Sequence, residues 1–220
     1  MSVIIPTMVF DNFFQNPDLV REFALKQQYF VSKNNNYPGV RTNLLSEINA
    51  EFFHRVIAKI TGLMYNSYTH FQYMADAQFQ IVTEEHGEGW VHSDGPDALL
   101  TAIIYLTPGS LSGTSIYKVK EPITSKLNEY KEERKLSFIK KDGVHAPSRD
   151  LHNNNFTETI KVSGVYNRML IFDSHLNHAA HYFFGKLHEE ARLTLIIFIR
   201  QISATDVMPA VRANRLGNGI

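Results

Sequence analysis

Two hydrophobic rhythms divide the chain. In the first third apolar residues recur at helical spacing, whereas later they crowd into short runs separated by Gly, Pro or Asn. Asn16, Pro17 and Asp18 form a helix-start signal: a capping side chain, a proline in the first turn where no N–H is needed, and an acid that complements the helix dipole. The spacing predicts a helix to about Gln28. From Ser46 to Thr61, Ile48, Phe52, Val56, Ile57 and Ile60 repeat at helical intervals, and Gly62 supplies a stop. Between these helices, Asn34, Asn35, Asn36, Tyr37, Pro38 and Gly39 are turn chemistry, and Arg41 and Thr42 leave the turn extended. The opening MSVIIPTMVF has no basic leader, is interrupted by Pro6 and runs into Asp11 and Asn12, so it reads as a strand rather than a signal.

Later, QFQIV, LLTAIIYLT, TSIYKV, FTETIKV, RMLIF and RLTLIIFIR are rich in β-branched and aromatic residues and read as strands. Helices first and strands afterwards predict helices packed outside a β sandwich or barrel. Residues 122–136 break the series, with Leu127, Tyr130 and Leu136 among many charges, as a short helix or a mobile insert. The surrounding KVKEPITSKLNEYKEERKL could close over a substrate, although a solvated charged face is the plainer reading. With no repeat or linker, one domain is expected over residues 1–220, its N-terminal helices within about residues 1–65 and its β core within about 75–200.

Composition narrows the chemistry. A 44% hydrophobic and 20% charged chain is that of a soluble globular protein, and Lys plus Arg balance Asp plus Glu, so no global field favours nucleic acid or an anionic membrane. No nucleic-acid partner is expected. The longest late apolar run, LTLIIFI, is far short of the roughly 18–20 residues that cross a bilayer, so no membrane partner is expected and a cytoplasmic location follows by default. Absence of cysteine excludes disulfides and thiolate ligands, leaving any metal to the ten histidines and the carboxylates.

His92 and Asp94, in WVHSDG, are one residue apart, so on an extended backbone both side chains point to the same side. An imidazole and a carboxylate from one strand end, joined by a distant histidine, make the facial triad that leaves adjacent coordination positions open on non-haem Fe(II). The HxD pair alone is a weak signal. It gains force from NRMLIFDSHLNHAAH, a buried strand running into a histidine-rich turn, followed by RLTLIIF.

The order HxD, His, Arg resembles the 2-oxoglutarate and Fe(II) oxygenase superfamily, especially its prolyl-4-hydroxylase-like branch with small bacterial and phage members, over about residues 75–200. The resemblance implies a mostly β fold with flanking helices, a double-stranded β-helix of jelly-roll, cupin-like form. The family strand RLxxFxSxxxH matches RMLIFDSHLNH from Arg168, which makes His178 the third ligand beside His92 and Asp94. Arg192 and Thr194 match the family's grip on the distal carboxylate of 2-oxoglutarate, and Tyr105 in YLT matches a tyrosine placed against the same group. A guanidinium fork suits a carboxylate bidentately. The stretch between His178 and Arg192 is longer than in many relatives, and the flanking His175 and His181 stay open as alternative third ligands.

The implied cofactors are Fe(II), 2-oxoglutarate as co-substrate and O2, with ascorbate as an accessory reductant. The implied reaction hydroxylates a C–H bond, since Asp94 stands where halogenating relatives carry a small residue. A peptide or protein substrate, with peptidyl proline favoured, a free amino acid, another small molecule or a nucleobase all remain open, as does the oligomeric state. In a phage-encoded chain the location would be the host cytoplasm. Two readings from other classes compete: a noncatalytic cupin-like binding module, and a zinc hydrolase, against which the Arg192 and Thr194 pair speaks. Asp173 is expected to be a turn residue and Trp90 a core residue, while Arg41 is either a substrate contact or a structural arginine. His54, His70, His86, His145, His152 and His188 are assigned surface or packing roles.

Overall fold

Alternation with a period of two gives each long strand two different faces, and the architecture follows from burying both. The computed structural model describes residues 7–34, 36–64, 71–109, 112–120, 130–139 and 145–204. In chain order the elements are β1 (Met8–Phe10), α1 (Pro17–Leu25), β2 (Phe30–Val31), β3 (Val40–Arg41), α2 (Leu45–Ile48), α3 (Ala50–Met64), β4 (Phe71–Val82), β5 (Leu100–Tyr105), β6 (Gly113–Val119), α4 (Tyr130–Ile139), α5 (Ala146–Asn153), β7 (Phe156–Ser163), β8 (Met169–Asp173), β9 (Asn177–Ala180) and β10 (Arg192–Ala204).

The strands form a seven-stranded sheet in the order β1-β8-β5-β10-β4-β3-β2 and a three-stranded sheet in the order β7-β6-β9. Neighbours pair antiparallel, and the last strand, β10, lies between β4 and β5. Such long-range interleaving across two facing sheets is the double-stranded β-helix that the family resemblance implies, and it fits the sandwich or barrel predicted from the strand-rich second half.

Ala77, Phe79 and Ile81 of β4, Leu100, Ala102 and Ile104 of β5, and Leu193, Leu195 and Ile197 of β10 point to one side of the large sheet. There they join Phe53, Val56, Ile57 and Ile60 of α3 in the main apolar core. The opposite faces of β5 and β8 put Ile103, Tyr105, Leu170 and Phe172 between the sheets with Ile116 and Val162. Gly39, at φ +71, brings β3 onto β4 so closely that a Cβ there would meet the Ile81 carbonyl oxygen at 2.1 Å.

Several local expectations shift. The second predicted helix is two: Asn49 leaves helical geometry, and its side-chain oxygen accepts the Phe52 N–H at 3.0 Å, starting α3 afresh. Gly62 does not stop α3, which continues to Met64 with Gly62 in its last turn. Residue 35 of the predicted turn and residues 1–6 of the predicted first strand lie outside the described residues. The 122–136 break contains the start of helix α4, and α5 follows it; neither α5 nor the short strand β9 was anticipated. No helix among the described residues is long and apolar enough to cross a membrane.

Candidate metal centre

The small sheet sets two imidazoles opposite each other. His92 and His178 form an isolated antiparallel bridge, the His92 N–H donating to the His178 carbonyl at 3.0 Å and the His178 N–H to the His92 carbonyl at 2.8 Å. Directly opposed residues project to the same face, and the two rings stand 4.4 Å apart between centroids. Asp94, two residues on, turns toward them: its Oδ1 is 3.6 Å from His92 Nε2 and its Oδ2 is 3.4 Å from His178 Nε2. One ligand atom from each of the three lies within 4.8 Å of the others.

The surroundings fix which atoms face the common point. His92 Nδ1 contacts the Trp90 carbonyl at 2.7 Å and His178 Nδ1 the Leu176 carbonyl at 3.1 Å. A carbonyl only accepts, so each Nδ1 carries the proton and each Nε2 is left with its lone pair toward Asp94. Thr101 donates to Asp94 Oδ2 at 2.7 Å and lies 2.9 Å from the Ser174 hydroxyl, while the Ser174 carbonyl accepts the Asp94 N–H at 2.9 Å. Thus β5 and the turn after β8 hold the carboxylate in place.

Protonation suits cation binding. Burial pushes the His92 imidazole down to about 3, with His178 acting in the same direction and Asp94 opposing, although the ring still opens onto a cavity. A neutral imidazole is the form that ligates metal. Burial alone would raise Asp94, but His178, His92, the Thr101 hydrogen bond and Arg41 together hold it below the usual carboxylate value. Two imidazole nitrogens and one carboxylate are a donor set that fits a divalent first-row cation.

The cavity measures about 500 Å³ and is lined by all three of these residues and by Arg192. Arg192 is 5% exposed, its guanidinium carbon 5.6 Å from the Tyr105 ring centroid and 5.9 Å from that of Phe183. Burial lowers its pKa, Tyr105 opposing, and its Nε is buried with no hydrogen-bond partner among the described residues. A buried guanidinium that faces a cavity with its Nε unpartnered is the fit expected for a carboxylate ligand. Tyr105 lies beside it, with its hydroxyl donating to Thr114 at 2.9 Å. Thr194 pairs with Tyr105 in the sheet but is wholly buried, its hydroxyl unpartnered among the described residues, and it does not line the cavity as Arg192 does.

His175 and His181 stand outside the cluster. His175 is exposed and contacts Asp173, whose side chain accepts the His175 N–H at 2.9 Å, a turn role for Asp173. His181 Nε2 is 2.6 Å from the Ser115 hydroxyl. Trp90 is both buried and part of the cavity wall, its indole N–H donating to Ser137 of α4 at 3.0 Å. Sequence reasoning missed Thr101 and Ser174, which hold Asp94, and Ser137 and Phe138 of α4; Arg134, also on the cavity wall, lies in the charged segment weighed as closing over a substrate but was not singled out. No short motif marks them: Thr101 and Ser174 are joined to Asp94 only by strand pairing, and the α4 residues reach the cavity only through tertiary packing.

Solved structures share this fold. A Trichoplax adhaerens prolyl hydroxylase, in complex with a hypoxia-inducible-factor oxygen degradation domain peptide, matches at 11% identity, covering 88% of this chain and 83% of its own with a TM-score of 0.51. An oxidoreductase of the 2OG-Fe(II) oxygenase family from Burkholderia pseudomallei matches at 10% identity, covering 88% and 84% with a TM-score of 0.51. HygX from Streptomyces hygroscopicus, with nickel and 2-oxoglutarate bound, matches at 12% identity, covering 87% and 82% with a TM-score of 0.50. The similarity in sequence is low, and what these proteins have in common with this chain is the double-stranded β-helix. No curated protein matches the chain. A family model does match, over residues 4–199, and the chain belongs to that family, described as the family of unknown function DUF6445.

Proposed function

We propose that the protein is a non-haem Fe(II), 2-oxoglutarate-dependent oxygenase that hydroxylates a C–H bond of its substrate. The observation that carries this reading is a single cavity holding both halves of the requirement. His92 Nε2, Asp94 and His178 Nε2 converge on one side, and Arg192, buried with its Nε unpartnered among the described residues, faces the same space. In this reading the first three hold Fe(II), and Arg192 takes the distal carboxylate of 2-oxoglutarate, with Tyr105 beside it and Thr194 on the same strand face. When bound, Fe(II) and 2-oxoglutarate supply the reduction of O2 that ends in succinate, carbon dioxide and an oxygenated product.

The chain's own part is placement. The Trp90 and Leu176 carbonyls keep the two imidazoles in the ligating tautomer, and Thr101 keeps Asp94 from rotating away. Arg192 sits among Tyr105 and Phe183, where low polarity strengthens its attraction for a carboxylate. The triad and Arg192 support this reading over a binding module without redox chemistry, and the fold is one on which 2-oxoglutarate is bound in HygX. The Trichoplax enzyme was solved with a peptide, so a peptide substrate is one option for this chain.

Anaerobic titration with Fe(II) and 2-oxoglutarate tests the reading directly. The expected result is a weak visible charge-transfer band that saturates with both components and is lost in His178→Ala. Stoichiometric Fe(II) binding with no band and no 2-oxoglutarate consumption would support the noncatalytic module instead.

A further inference from the structure

The arginines among the described residues fall into two groups. Arg55, Arg149, Arg168 and Arg200 ion-pair with Glu51, Asp150, Asp11 and Asp76, and Arg21 donates to the Leu106 carbonyl. Among the described residues, the three that neither ion-pair nor donate to a carboxylate or carbonyl are Arg41, Arg134 and Arg192, and all three line the one cavity. Each has a buried Nε without a hydrogen-bond partner among those residues. Arg192 is accounted for by the co-substrate. Arg41 and Arg134 are not.

Arg41 leaves β3 over the cavity, its guanidinium carbon 3.9 Å from the Tyr37 ring centroid and 5.8 Å from that of Phe198. Burial pulls its pKa down to about 10, opposed by Tyr37 and Asp94. Arg134 projects from α4 on the same cavity and is lowered by burial, again opposed by Asp94. Both guanidiniums thus lie within electrostatic reach of the metal-side carboxylate. Glu88 and Asp97 also line the cavity, yet among the described residues no ion pair joins either carboxylate to Arg41 or Arg134, so neither guanidinium is paired within the protein. An unpaired buried charge is unfavourable unless a ligand completes it.

We propose that Arg41 and Arg134 clamp an oxyanion, carboxylate or phosphate, of a small-molecule substrate and so hold it over the metal side of the cavity. This rests on the oxygenase reading for its chemistry, but the anion site is testable without it. A volume of about 500 Å³ is within the range of small-molecule pockets, and α4 walls one side through Arg134, Ser137 and Phe138. The Tyr37 and Phe198 faces beside Arg41 suit an apolar or aromatic body attached to the anion.

Trp90, the single tryptophan of the chain, lines the cavity and reports its occupancy by fluorescence. The full-length protein is titrated with phenylacetate, phenyl phosphate and neutral phenylacetamide, each with and without Fe(II) and 2-oxoglutarate. The acids are expected to bind at least tenfold more tightly than the amide, and the tighter acid identifies the oxyanion. Arg41→Gln and Arg134→Gln should each weaken the acids at least tenfold while leaving the amide unchanged, with Arg41→Lys intermediate. Thermal melts of both Gln variants without ligand should be no lower than wild type, since an unpaired charge is removed. Equal binding of amide and acid, unchanged acid affinity in both Gln variants, or a large loss of melting temperature in both would overturn the proposal. A neutral proline-rich peptide that binds more tightly than either acid, independent of both arginines, would overturn it in favour of a peptide substrate. Acid binding that depends on these arginines in a protein with no affinity for 2-oxoglutarate would leave the anion site standing and remove the oxygenase reading.

Discussion

On one face of the seven-stranded sheet, Ala77, Phe79 and Ile81 of β4 meet Leu193, Leu195 and Ile197 of β10 beneath α3. On the other, Asp76, Gln78 and Gln80 of the same strand stand on the cavity wall with Arg192, Ile196, Phe198 and Arg200. The backbone is shared, and only the parity of the residue number separates the two sets. The helix side is dry and apolar, so its side chains are explained by burial alone at about 25 cal/mol per Å². The cavity side keeps buried polar groups without a partner among the described residues, notably the Nε atoms of Arg41, Arg134 and Arg192. Such groups weaken an empty protein and strengthen a loaded one, which is how a binding face differs from a core.

The strongest way to break this contrast is at the metal centre. His178→Ala should lose Fe(II) binding by at least a hundredfold yet keep the wild-type melting temperature to within a few degrees when both are metal-free, by calorimetry and melting of the same samples. Phe79→Ala, on the helix side of the large sheet, should do the reverse. Deleting a fully buried phenylalanine costs about 3–5 kcal/mol, so denaturant unfolding should show a large loss while Fe(II) stoichiometry in the folded fraction stays at wild type.

Arg192→Ala should weaken 2-oxoglutarate roughly thirtyfold or more, from about 2–5 kcal/mol for removing one partner of a buried charge-assisted pair. Arg192→Lys should fall between, and Fe(II) affinity should change far less. Unchanged 2-oxoglutarate affinity in folded Arg192→Ala would move the anchor to another basic residue. Thr101→Val, which frees Asp94 Oδ2 while preserving shape, should reduce Fe(II) affinity by about 10–100-fold, the usual effect of removing a hydrogen bond behind a ligand. The smallest effect is expected at His175, exposed and turned to Asp173: His175→Ala should leave Fe(II) affinity within error and stability within about 0.5 kcal/mol.

Strand identities were legible because β-branched and aromatic runs such as LLTAIIYLT and RLTLIIFIR have few other ways to bury both faces. The boundaries of the second helix were not, because Asn49 acts through a side-chain hydrogen bond that periodicity ignores, and because Gly62 meets no steric demand that would end α3. Helix α5 carries His152, which packs against Trp90 and Phe156, a contact set by tertiary neighbours rather than by a strong local pattern.

For the candidate site, HxD spacing put His92 and Asp94 on one face of an extended segment from the sequence, while His178 and Arg192 came from the resemblance of RMLIFDSHLNH and RLT to the oxygenase family. His175 and His181 stayed open beside His178, since neighbouring residues differ only in which backbone bridge they enter. The tertiary structure supplied that bridge, His92 against His178, and left the other two on an exposed turn and against Ser115. It also revealed Thr101 and Ser174 behind Asp94, and gathered Arg41, Arg134 and Arg192 from three distant segments around one cavity. Those groupings depend on contacts between residues tens of positions apart, which are decided when the sheets close and not by any local preference of the chain.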